Sequence, residues 1–197
     1  MHRRSLTSKL SLAGLAAVAV AGFSSVALAH PGHAGGLTDG LVHPFTGLDH
    51  VLAMVAVGLW ASQLGRRAMW LLPAVFPVVM AAGAVMGAYG VALPWVELGI
   101  VASVVVLGIA VALGLQVSLV VSATLVGVFA LFHGHAHGNE FPAADSPLLH
   151  GIGFIAATVT LHAIGIAAGL LTQRPLVMRT AGGAIAAVGL LLLVMPS

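Results

Sequence analysis

Beyond its first forty positions the chain is a succession of long apolar runs, separated by short polar bursts. Within each run the apolar residues surround the helix instead of lining one face. That pattern belongs to a segment immersed in an apolar medium, not to the amphipathic helix of a soluble domain. A helix needs about 20 such residues to cross a bilayer. On that basis the pattern predicts helices over 41–62, 69–90, 95–114, 117–134, 148–171 and 177–195. Expected breaks fall at Gly65-Arg66-Arg67, from Gly90 to Pro94, at Gly114-Leu115-Gln116, in the polar run 133–147, and from Thr172 to Pro175. The break near Gln116 carries no charge and is the least marked.

Small residues are spaced for close packing between such helices. Gly83 and Gly87 form a G-x-x-x-G pair, and so do Gly165 and Gly169. That spacing lets two backbones approach closely within a membrane. Pro73 and Pro77 are expected to bend the second span.

Composition strengthens the membrane reading. Hydrophobic residues make up 60% of the chain and charged ones 6%. A soluble domain carries roughly a quarter charged residues, so water cannot be the solvent for most of this surface. The formal charge of +2 and the pI near 10 do not indicate a nucleic-acid partner. Basic residues number only seven, and no basic stripe is interleaved with aromatics. Cysteine is absent, which excludes disulfides and thiolate metal sites. Ten histidines outnumber five acids, and this imbalance directs attention to metal chemistry.

The first 29 residues have the layout of a cleavable signal peptide. Arg3, Arg4 and Lys9 precede a short apolar stretch, and Ala27-Leu28-Ala29 supplies the small-residue cleavage site. Cleavage there starts the mature chain at His30, outside the cytoplasm. Residues 30–197 then form a single domain of six transmembrane helices. The arginines agree with that orientation. Arg66, Arg67, Arg174 and Arg179 all fall in or beside loops that it places inside, as the positive-inside rule requires. Asp39, Glu140 and Asp145 fall outside. The expected protein is therefore an all-α bundle in the inner membrane of a bacterium, with both mature termini outside the cytoplasm.

Three groups of residues carry candidate chemistry. The first is His43-Pro44-Phe45-Thr46-Gly47-Leu48-Asp49-His50, at the entrance to the first span. On one continuous helix His43 and His50 would share a face about 10 Å apart along the axis. Asp49 and His50 lie at the edge of the apolar run. A charged Asp there costs about 2.5–3.5 kcal/mol to insert, so it calls for a partner or a cation. A buried Asp–His pair tying helices together is the structural alternative. The second group is Phe132-His133-Gly134-His135-Ala136-His137-Gly138-Asn139-Glu140, at the outer end of the fourth span. If the helix continues, His133, His137 and Glu140 share a face at a spacing that can hold one metal ion, and His135 points elsewhere. The third is His150 and His162 in the fifth span. His150 falls in the first turn, and His162 lies about 18 Å deeper. Glu97 is an additional carboxylate near the outer surface. His30 and His33 would place an amine and imidazoles at the mature terminus, where they could capture a cation.

Imidazole with carboxylate, and no thiolate, suits nickel, cobalt, zinc or copper(II). The donor set alone does not choose among them. No permanent cofactor is implied. Helix-borne H-E-x-x-H is missing, so an intramembrane metalloenzyme ranks last and the chain reads as a non-enzyme.

The first motif, continuing into Leu52-Ala53-Met54 and Val57-Gly58, resembles the H-P-x-x-G-x-D-H signature of the HupE/UreJ family. The second, from Phe132 to Glu140, is similar to that family's second signature. The likeness extends along nearly the whole chain. It implies a permease for Ni²⁺ or Co²⁺ serving hydrogenase or urease maturation. It also implies that His43, Asp49 and His50 are the principal transport residues, with His133, His137 and Glu140 a second group. The alternative from a different class is a membrane metal sensor or chaperone that binds the ion without transporting it.

Overall fold

The computed structural model describes residues 36–138, 146–172 and 174–194. The segment 1–29, expected to be a signal peptide, lies outside the described residues, as do His30, His33, Glu140 and Asp145.

The described residues form seven helices: α1 (Leu37–Thr46), α2 (Leu48–Leu64), α3 (Arg66–Ala88), α4 (Val96–Leu113), α5 (Leu119–Gly138), α6 (Pro147–Thr172) and α7 (Pro175–Val194). Helices α3 to α7 are each long and apolar enough to cross a bilayer. Helices α1 and α2 reach that length only together, and they meet at an 85° bend. The described residues thus form an all-α, multi-pass membrane arrangement with five full-length spans, or six when the bent pair counts as one.

Two expectations need correction. The first span is not the single helix 41–62. It breaks at Gly47, whose backbone is extended (φ −92°, ψ 117°). Pro44 contributes, because its ring blocks the regular hydrogen-bond ladder in the last turn of α1. Thr46 Oγ1 then donates to the His43 carbonyl (2.7 Å), giving one loose carbonyl of that turn a partner. The fourth span does not end at residue 134. It stays helical to Gly138, so His133, His135 and His137 all lie on α5. The predicted breaks at Gly65, from Gly90 to Pro94 and at Gly114 to Gln116 are observed. Gly65 (φ 99°) separates α2 from α3 in a conformation that favours glycine. The uncharged break near Gln116 is a turn between α4 and α5 that starts at Gly114 (φ 60°).

Helix α2 is the hub. Met54, Val57 and Trp60 are almost fully buried, and α2 packs against α3, α4 and α6. Around it α3 packs along α5, α4 along α7, and both α1 and α6 close on each other. Glycines make these contacts possible. A Cβ on Gly134 or Gly138 would collide with the backbone carbonyls of Met80 and Ala84 on α3. A Cβ on Gly165 would strike the Val55 carbonyl and the Gly58 backbone on α2. Lipid offers helices no hydrophobic reason to associate, so this backbone-level contact carries the packing. The outward surface is apolar, with Val78, Val120 and Leu171 exposed. Trp70 marks one end of the bundle, and Tyr89 and Trp95 mark the other, as expected of aromatic anchors at the two interfaces.

The ends differ chemically. At one end the α2–α3, α4–α5 and α6–α7 turns gather. Gln63 Nε2 donates to the Val111 carbonyl (3.0 Å), and Trp60 Nε1 donates to the Leu115 carbonyl (3.0 Å), linking α2 to the α4–α5 turn. A polar cleft there is lined by Ser62, Gln63, Gly169 and Arg179. The described arginines 66, 67, 174 and 179 belong to this end. The histidines of α1, α5 and the start of α6 belong to the other.

The glycine account can be checked by calorimetry or thermal scanning in detergent. Gly134→Ala is expected to lower the unfolding midpoint, because overpacking a tight contact costs typically about 1–3 kcal/mol. Gly183→Ala meets nothing within 4 Å and is expected to leave stability unchanged or raised. Equal behaviour of the two variants would contradict the account.

Candidate metal centre at the broken helix

The break at Gly47 builds the site. Helix α2 begins with Leu48-Asp49-His50, and the first amides of a helix lack partners within it. Asp49 Oδ1 accepts one of them, the His50 amide, at 2.8 Å. The same oxygen accepts a second bond from His50 Nδ1 at 2.7 Å. A carboxylate placed here also meets the positive end of the α2 dipole. Gly47 is needed for steric reasons, since a Cβ would lie 2.8 Å from both Asp49 Oδ1 and His50 Nδ1. The residue that breaks the helix therefore also makes room for the Asp49–His50 pair.

Because the carboxylate accepts, His50 Nδ1 carries the proton and Nε2 keeps its lone pair. That nitrogen accepts a hydrogen bond from His137 Nε2 at 2.6 Å. His133 is fixed in the same way. Its Nδ1 donates to the Phe129 carbonyl one turn back (3.0 Å), and its buried Nε2 has no hydrogen-bond partner. The ring of His133 stands 4.9 Å from the ring of His50, and His137 stands 4.6 Å from it. Two imidazoles thus present oriented lone pairs to a common region. Locking the opposite ring nitrogen onto an acceptor is how proteins prepare a histidine for a metal.

Helix α5 supplies its histidines through an alternation. Gly134 and Gly138 face α3 and allow close approach. His133 and His137, each one residue earlier, turn toward α2. His135 faces away, and its Nε2 donates to the Val91 carbonyl (2.7 Å), tying α5 to the α3–α4 connection.

Helices α1 and α6 add the remaining rings. Gly40 of α1 sits on the His150 carbonyl, and Gly153 of α6 sits on the Leu37 carbonyl. That crossing carries His43 between His150 (ring centroids 5.9 Å) and His137 (4.8 Å). The rings therefore run in sequence His150, His43, His137, His50, His133. The C-terminal ends of α1 and α5 meet here, and their dipoles favour a cation.

The sequence placed His43 and His50 on one helix face and kept the two motifs apart as separate groups. The 85° bend removes the shared face, and tertiary packing merges the groups around His137. Two residues without a motif complete the lining. Phe154, one turn after His150, packs on His137 (4.4 Å). Phe76 of α3 packs on His133 (5.7 Å). His162 is fully buried deeper in α6, and Glu97 is exposed in the first turn of α4. Neither joins the chain of rings.

Among the described residues no three histidine, aspartate or glutamate side chains already surround one point as a ligand set. The rings instead pack edge to face. The His50–His137 contact nevertheless fits a metal with little movement. Nitrogens each about 2.0–2.1 Å from a shared ion stand roughly 3 Å apart, so the pair needs to open only slightly.

The Asp49–His50 pair gives a direct test. Asp49→Asn preserves shape but replaces a carboxylate by a weaker acceptor for His50 Nδ1. Affinity for Ni²⁺, measured by titration calorimetry in detergent, is expected to fall roughly 10–100-fold, as for other outer partners of metal-binding histidines. Unchanged affinity would remove Asp49 from this role.

Comparison with known proteins identifies the family. The HupE / UreJ protein family matches residues 18–192. A curated relative, "Protein HupE" of Rhizobium leguminosarum bv. viciae, is 51% identical over 176 residues, covering 86% of this chain and 91% of the relative. No solved structure matches. The motif from His43 to His50 and the histidines of α5, which converge in space, both fall inside the matched region. The chain belongs to the HupE/UreJ family.

Proposed function

We propose that the protein is a secondary permease that imports a divalent transition metal, Ni²⁺ or Co²⁺, across the inner bacterial membrane. The observation that carries this reading is the meeting of five imidazoles at a break in a membrane helix, two of them with oriented lone pairs. Broken helices whose ends point into the bundle are a recurrent way to build ion sites in transporters. Irregular backbone is tolerated at such depth where protein covers it.

The arginine end is assigned to the cytoplasm by the positive-inside rule, so the histidine end is the entry side. His43 and His150 would meet the hydrated ion first. His137, His50 and His133 would then replace part of its water shell. The sequence carries no nucleotide-binding motif, so transport would draw on an ion gradient or on the membrane potential. A divalent cation moving inward gains about 4.6 kcal/mol per 100 mV, at about 2.3 per charge. Family membership supports delivery to a metalloenzyme such as hydrogenase or urease.

Reconstitution tests the reading. Proteoliposomes holding the wild-type protein are expected to accumulate Ni²⁺ or Co²⁺ in preference to Mg²⁺, at a rate that rises with an inside-negative potential. His50→Ala and His137→Ala are each expected to abolish the flux. Metal binding without flux by the wild-type protein would favour a sensor or chaperone instead.

A further inference from the structure

Neither ring nitrogen of His162 has a hydrogen bond, and the residue is fully buried. A buried polar group without a partner costs about 1–3 kcal/mol, and hydrocarbon supplies no substitute. Thr158 precedes it by one helical turn on the same face of α6. Its hydroxyl is also fully buried and unpartnered. Thr160, on the same helix but exposed, donates to the Ala156 carbonyl (2.8 Å). The helix backbone can therefore satisfy a threonine hydroxyl, and Thr158 forgoes that bond.

The position of this pair is informative. Phe76 packs edge to face on His162 (5.0 Å) and also on His133 (5.7 Å), whose Nε2 is unpartnered too. A single aromatic ring thus stands between the last member of the imidazole chain and His162. On the other side, Gly169 lines the polar cleft at the arginine end, and it lies seven residues beyond His162, about 10 Å along the axis.

We propose that His162 and Thr158 form an inner ion-binding station, which receives the metal from His133 past Phe76 and releases it toward the Ser62–Gln63 cleft. The proposal rests on the permease reading. One imidazole and one hydroxyl leave most coordination positions to water, so the ion is held weakly. Weak, successive sites are what conduction requires, since an ion must leave each site as readily as it enters.

The test uses Ni²⁺ flux into proteoliposomes together with calorimetric Ni²⁺ binding in detergent. His162→Phe keeps a ring but removes both nitrogens. It is expected to cut flux by roughly tenfold or more while leaving binding at the outer histidines intact, in line with the usual effect of losing a ligand-shell group. His162→Gln restores a donor and is expected to recover part of the flux. If His162→Phe fails to fold, Thr158→Val, which preserves shape, carries the same test and is expected to slow flux with outer binding unchanged. Wild-type flux in a well-folded His162→Phe protein would overturn the station and leave the permease reading standing. Absence of flux in the wild-type protein would overturn both.

Discussion

Hydrocarbon offers no hydrogen bonds, so every polar group that enters it must find its partner inside the protein. The structure around the site follows from this requirement. Asp49 sits at the start of a membrane helix and takes two donors from His50, one backbone and one ring. That engagement fixes the tautomer of His50 and aims Nε2 at His137. His133 meets the same requirement by turning one nitrogen to the Phe129 carbonyl, which leaves the other for a ligand. In each case satisfying one atom prepares the next.

Close packing then decides which histidines meet. Glycine contacts join α5 to α3, α1 to α6 and α6 to α2. Each replaces a side chain by direct backbone approach, and the first two put imidazoles beside their neighbours. Gly40 carries His43 to His150, and the Gly134–Gly138 face turns His133 and His137 toward α2. A metal site assembled this way depends on helix spacing as much as on its donors. Its rings touch one another, so a bound ion would displace ring contacts instead of filling an open cage.

Much of this was legible in the sequence. The spans follow from uninterrupted apolar runs, and even the uncharged turn at Gly114 to Gln116 was marked by its glycine. Both histidine motifs were visible, as was the turn of His135 away from His133 and His137. The 85° break at Gly47 was not, because residues 41–62 read as one helix and a single glycine is common in membrane helices. The merging of the motifs was not legible either, since nothing in either segment says which helices are neighbours. Phe76 and Phe154 were hidden for a related reason: an aromatic residue in an apolar run has no pattern that separates site lining from core. His162 stood out as a histidine on an apolar helix, but its lack of partners is a property of the fold alone.

The central claim is that His50 and His137 share a metal ion where the broken helix meets α5. X-ray absorption spectroscopy on the Ni²⁺-loaded protein tests it most directly, because imidazole rings leave a distinctive outer-shell scattering pattern. The account expects that pattern in the wild-type protein and a clear loss of imidazole scattering in His137→Ala. A nickel spectrum without imidazole, or one that His137→Ala leaves unchanged, would contradict it.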